Sequence, residues 1–146
     1  MNALSDNDKI RNVVANGIED TWSVSMSIIA VGAGGFIGAV LRYLIGLIPV
    51  SERAIFPVKT FIINIVGCLA IGLITVLVAK HTQIDQRWIL FMKVGLCGGF
   101  TTFSTFALET TGLIKDGHVW VAIAYALLSV IVGCLVIIGT ELLTAR

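Results

Sequence analysis

Four long apolar runs dominate the chain, separated by short polar stretches. Residues 24–41 carry no charge, and the run continues past Arg42 to Ile48. Residues 60–79 and 119–140 also carry none. Residues 88–114 carry Lys93 near the start and Glu109 near the end. A helix that crosses a bilayer needs about 20 mostly apolar residues, so the pattern predicts an all-α membrane protein with four spanning helices. The connectors at 49–59, 80–87 and 115–118 are too short for a soluble domain, so any chemistry lies in or at the bilayer. Trp22, Trp88 and Trp120 stand at segment starts, where an aromatic belt places indole rings among the lipid headgroups.

Residues 1–23 read as a polar tail ahead of a four-helix channel-sized domain at 24–143. The tail mixes Lys9 and Arg11 with Asp6, Asp8, Glu19 and Asp20. Ile10, Val13, Val14 and Ile18 fall at helical spacing, which suits a short amphipathic helix on the membrane surface as well as it suits a mobile tail. Its mixed charge and the long apolar run behind it do not fit a signal peptide.

Composition supports the membrane reading. Apolar residues make up 57% and charged residues 13%, against roughly 25% charged in an average soluble domain. Mean hydropathy is +0.97. A water-soluble globule and a disordered chain are both excluded. The net charge of +1 offers no basic field for nucleic acid. Cys68, Cys97 and Cys134 are odd in number and lie in apolar runs, as small packing residues do. His81 and His118 sit in connectors without metal-ligand spacing. There is no nucleophile elbow and no carboxylate pair within the spans, so enzyme chemistry is not expected.

The glycine cluster Gly32-Ala-Gly34-Gly35-Phe-Ile-Gly38 looks like a nucleotide loop but lacks glycine at the sixth position, which is Ile37, and no strand precedes it. Ala30, Gly34 and Gly38 instead recur on one helix face, where small residues let two backbones approach. In the third run, Gly95, Gly98 and Gly99 precede Thr101-Thr102-Phe103-Ser104-Thr105-Phe106. Paired glycines and β-branched threonines weaken a helix. Two outcomes are open: a break at about 98–102, whose freed carbonyls could hold a cation, or a continuous helix with hydroxyls bonded back to their own carbonyls.

Polar side chains inside a membrane are costly and need a role or a partner. Thr60, Asn64 and Gly67 share one face of the second run, and Tyr125, Ser129 and Gly133 share one face of the fourth. The third run adds Thr101, Thr102, Ser104, Thr105, Glu109 and Thr110, with Phe103 and Phe106 on one side. Arg42 and Lys93 are the only cations within the runs. Hydroxyl and amide donors with the positive edges of phenyl rings suit a small, strongly hydrated anion, with Arg42 attracting it at a mouth. Taken singly, each of these groups reads more readily as helix–helix glue, and the weight of the anion reading lies in their concentration around one suspected break.

The sequences Gly-Ala-Val-Leu-Arg42-Tyr, Asn64-Ile-Val-Gly67 and Gly98-Gly99-Phe-Thr101-Thr102-Phe103-Ser104-Thr105-Phe106 closely resemble the Fluc (CrcB) fluoride channel family, over about residues 28–140. The resemblance implies a multi-pass protein of a bacterial cell membrane with a broken third helix. It implies an antiparallel, dual-topology homodimer that conducts fluoride passively through two pores and protects the cell from fluoride. It also implies one structural Na⁺ held by the carbonyls of Gly98 and Thr101. Phe103 and Phe106 would line the pore, Asn64 would donate to fluoride, and Thr60 would lie nearby. Ser104, Thr105, Tyr125 and Ser129 match the polar track, Glu109 its far end, and Arg42 the aqueous vestibule. The chain departs from the family pattern at Lys59, usually glycine, at Cys68, usually serine or alanine, and in its longer tail.

Two other readings compete. A small multidrug exporter would need a carboxylate in the middle of the first span, and this one has none. A non-conducting scaffold subunit would explain the small-residue faces but not the polar cluster with its two phenylalanines. Charge near the helix ends bears on orientation. Lys80, Arg87 and Arg146 fall on one side and Arg53, Lys59 and Lys115 on the other, three against three; Lys9 and Arg11 in the tail make it five against three. So even a balance predicts insertion both ways, with the small-residue faces available to join two oppositely inserted copies.

Overall fold

The computed structural model describes residues 6–49, 54–81 and 83–144, with side chains among these from residue 21 to residue 143. The apolar face expected of Ile10, Val13, Val14 and Ile18 therefore lies outside the described side chains, as do Arg53 and Arg146. Among the described residues every element is helical. In order these are α1 (Asp6–Gly46), α2 (Val58–Lys80), α3 (Gln86–Ile89), a π-helical segment (Leu90–Cys97), α4 (Gly98–Phe100), α5 (Phe103–Lys115) and α6 (Val119–Thr144). Four stretches are long and apolar enough to cross a bilayer: Thr21–Gly46, Val58–Lys80, Gln86–Lys115 and Val119–Leu143. The polar tail is thus continuous with the first span, one helix from Asp6.

Large apolar side chains are exposed over much of the surface, Ile28, Phe36 and Leu128 among them. Lipid tails are as apolar as these side chains, so a membrane protein gains little by hiding them. Helix pairs are held instead by close backbone approach and polar contacts. α1 packs along the π segment and α4; α2 packs along α6; α5 meets α6. Trp22, Trp88 and Trp120 are exposed near the starts of their spans, as belt residues would be.

The small-residue face of α1 is used within the protomer. A Cβ on Gly34 would stand 2.9 Å from the Leu96 nitrogen and 3.1 Å from the Gly95 Cα, and one on Gly38 would stand 2.7 Å from the Phe100 nitrogen. Those positions cannot hold a side chain without pushing the third span off α1. The role expected for this face, joining two copies, is therefore corrected: Gly34 and Gly38 seat the third span. A π-helix bonds each residue to the fifth along rather than the fourth, so its turn is wider. Backbone atoms of Phe91, Gly95 and Gly99 all face α1.

The connectors are fixed locally. Asp85 starts the third span: its carboxylate accepts from the Arg87 backbone N–H at 2.8 Å and from the Arg87 guanidinium at 2.6 Å. Those bonds hold the Asp85 carboxyl down at about 2. Past the end of α5 the chain turns at Gly117, whose φ of 82° belongs to the left-handed region that favours glycine, with the His118 N–H returning to the Leu113 carbonyl at 2.8 Å. Lys59, the departure from the family pattern, donates to the Gly46 carbonyl at 2.7 Å and so caps the end of α1.

Candidate functional site: a broken helix beside an open groove

The third span breaks where the sequence allowed it to. Thr101 is extended (φ −77°, ψ 161°), as is Thr102 (φ −150°, ψ 113°), and helix resumes at Phe103. Thr102 restarts it as an N-cap, its hydroxyl accepting from the Thr105 N–H at 3.3 Å. The same hydroxyl donates to the Thr105 hydroxyl at 3.0 Å and lies 3.3 Å from that of Ser104. The Thr101 hydroxyl does bond back to its own helix, at the Cys97 carbonyl (2.9 Å), but the helix still breaks.

Asn64 spans the break from α2. Its Oδ1 accepts from the Thr102 N–H at 2.9 Å, and its Nδ2 donates to the Thr102 carbonyl at 3.2 Å. One side chain thereby satisfies both backbone groups of the unwound residue, which lipid would leave unpaired. The amide expected to donate to fluoride is largely engaged, with one Nδ2 hydrogen left over. From the other side, the Arg42 Nε donates to the Gly99 carbonyl at 3.2 Å, which places Arg42 on the break itself. Two more carbonyls lose their helical donors. The Thr102 N–H that would return to Gly98 goes to Asn64, and the Thr105 N–H that would return to Thr101 goes to the Thr102 hydroxyl.

Below the break lies a second polar group. The Glu109 carboxyl accepts from the Thr60 hydroxyl at 2.8 Å and from the Tyr125 hydroxyl at 2.9 Å. Tyr125 is fully buried and Thr60 nearly so. The Tyr125 ring is held edge-on by Phe56 at 5.3 Å and tilted against Phe106 at 5.0 Å. Phe106 lies 5.7 Å from Phe103.

An open groove of about 380 Å³ runs past the break. Asn64, Gly98, Thr101, Thr102, Phe103, Phe106 and Ser129 line it, together with Cys68, Cys97 and Lys93, and among the described residues no carboxylate does. The Ser129 hydroxyl oxygen is buried and has no hydrogen-bond partner. Gly67, on the Asn64 face, admits the Thr101 methyl where a Cβ would collide.

The expected site residues therefore fall in three places. Asn64, Phe103, Phe106, Ser129, Gly98 and Thr101 meet at the groove. Thr60, Glu109 and Tyr125 form the adjoining cluster, joined to the groove through Phe106. Ser104, Thr105 and Arg42 brace the break and do not line the groove. Reading residues in sequence missed Lys93 as a lining residue and Phe56 as support for Tyr125. Lys93 was visible as a cation in an apolar run, but no spacing said which way it faced.

Residues 29–140 match the family described as CrcB-like protein, Camphor Resistance (CrcB). A protein of Azobacteroides pseudotrichonymphae, named fluoride-specific ion channel FluC, is 40% identical over 118 residues, covering 80% of this chain and 94% of its own. A protein of Desulfotalea psychrophila with the same name is 44% identical over 108 residues, covering 74% of this chain and 84% of its own. One from Prosthecochloris aestuarii, also so named, is 38% identical over 120 residues, covering 82% and 93%. With the match spanning all four helices and the broken third span, the chain belongs to the CrcB family.

Proposed function

We propose that the chain is a fluoride-selective channel, not an enzyme, that lets fluoride leave the cell passively and so limits its toxicity. The observation that carries this is the groove: a path lined by hydroxyls, an amide and two phenyl rings, with a cation and without a carboxylate, beside a helix break. Fluoride is small and strongly hydrated. A path can pass it only by replacing lost water with donors. Ser129, the remaining Nδ2 hydrogen of Asn64 and the ring edges of Phe103 and Phe106 are such donors. Tyr125 and Thr60 are turned toward Glu109, and they continue the track beyond Phe106.

Two copies in opposite orientation would build the working unit, each in the cell membrane. Phe103, 78% exposed, and the exposed backbone of Gly98 then find cover on a second copy rather than in lipid. The freed carbonyls of Gly98 and Thr101 suit a hard cation, and a Na⁺ held there would supply positive charge at the break.

Purified protein in fluoride-loaded liposomes is expected to release fluoride rapidly to an electrode while retaining chloride. Equal release of the two anions would refute the reading. Orientation is tested separately. With cysteine at His118 in a chain lacking Cys68, Cys97 and Cys134, an impermeant thiol reagent applied outside intact cells should label about half of the chains, as balanced end charges require. Labelling near zero or near completeness would rule out the antiparallel pair.

A further inference from the structure

Among the described residues Lys93 is the one charged side chain lining the groove. It is half-buried in the π-helical segment, within the span Gln86–Lys115, and has no hydrogen bond or ion pair among the described residues. A lysine within a span is costly, and it persists where it faces a water-filled cavity or a counter-charge. Among the described residues no carboxylate lines the groove, and Glu109, on the far side of the break, already accepts from Thr60 and Tyr125. Apart from the freed carbonyls of Gly98 and Thr101, assigned above to a cation, the remaining lining groups that can meet an ion are donors or ring edges. An anion is the counter-charge that this arrangement leaves for the ammonium.

We propose that Lys93 is an anion-gathering station at the Gln86 end of the groove, raising the local fluoride concentration ahead of Asn64, Phe103 and Phe106. The inference rests on the channel reading for its ion. Its chemistry is that of a flexible point charge, which attracts without binding so firmly that the ion cannot leave. It lies one turn before Cys97 and ahead of the break at Thr101, so an ion drawn to it faces the donor-lined stretch.

The test compares the parent with Lys93→Met, which keeps length and apolar stem but removes charge, and with Lys93→Arg. Fluoride currents in planar bilayers are measured over a range of fluoride concentration and ionic strength. At low fluoride, Lys93→Met should conduct roughly tenfold less, the effect of one partly screened charge at close range. Its rate at saturating fluoride should approach the parent's, and Lys93→Arg should stay near the parent throughout. A concentration curve for Lys93→Met that overlies the parent's would overturn the proposal. If that variant folds poorly, cysteine is placed at Lys93 in the cysteine-free chain. There a cationic thiosulfonate adduct should restore low-fluoride conduction and an anionic one should not; equal effects would overturn the proposal. Broadening of the ¹⁹F line of free fluoride by the detergent-solubilised protein separates the two readings. Loss of broadening in Lys93→Met with a non-conducting parent overturns the channel and keeps the station. Unchanged broadening and conduction keeps the channel and overturns the station.

Discussion

Asn64→Ala should all but abolish fluoride release from liposomes, by at least roughly a hundredfold, and should also lower the melting temperature of the detergent-solubilised protein. The sequence alone suggests only the first effect, through loss of an amide that faces the ion. The structure adds the second. Asn64 holds the Thr102 N–H and carbonyl at once. Removing it leaves two backbone groups unpaired at membrane depth, at about 1–3 kcal/mol each. Asn64→Asp separates the two roles. It keeps an acceptor for the Thr102 N–H but sets a carboxyl oxygen against the Thr102 carbonyl and puts an acidic group on the path. It should keep more of the fold than alanine does and still conduct poorly. An Asn64→Ala protein that conducts and melts like the parent would remove Asn64 from both the break and the path.

Glu109→Ala is expected to destabilise the protein more than any single change on the groove surface. Two hydroxyls lose their acceptor together, Thr60 at 5% exposure and Tyr125 at 0%. At about 1–3 kcal/mol for each orphaned donor, the loss is about 2–6 kcal/mol, before the cavity left by the side chain is counted. Glu109→Gln retains one carbonyl acceptor, and either hydroxyl can turn to accept from the new amide, so its melting temperature should fall much less. Conduction should follow packing, because Tyr125 stacks on Phe106 and Phe106 lines the groove. Thermal melts that rank glutamine and alanine equally would show that the carboxyl oxygens do not anchor this cluster.

Much of this protein is legible along the chain. Apolar runs long enough for a bilayer, with almost no charge inside them, dictate four spanning helices in any context, because lipid leaves the backbone no other way to satisfy itself. The weakness at Gly98–Gly99 and the following threonines is also local, since it comes from the conformational preferences of those residues. The residue types of the polar path stand out because lipid makes them conspicuous. What each of them touches is decided elsewhere. Asn64 lies far from Thr102 in sequence, and only the packing of α2 against the third span turns it into a bridge across the break. Gly34 and Gly38 announce a close approach but not its partner, and only packing brings Gly95 and Gly99 of the third span to meet them. Arg42 reads as a charge at a mouth and proves to be a donor to the Gly99 carbonyl. Lys93 reads as a stray cation and proves to line the groove. The sequence alone determines which segments enter the membrane and where the third must yield, because those follow from local hydropathy and backbone preference. Only the tertiary structure decides which polar groups satisfy one another and which remain to meet an ion, because that depends on how the faces of separate helices are turned toward each other.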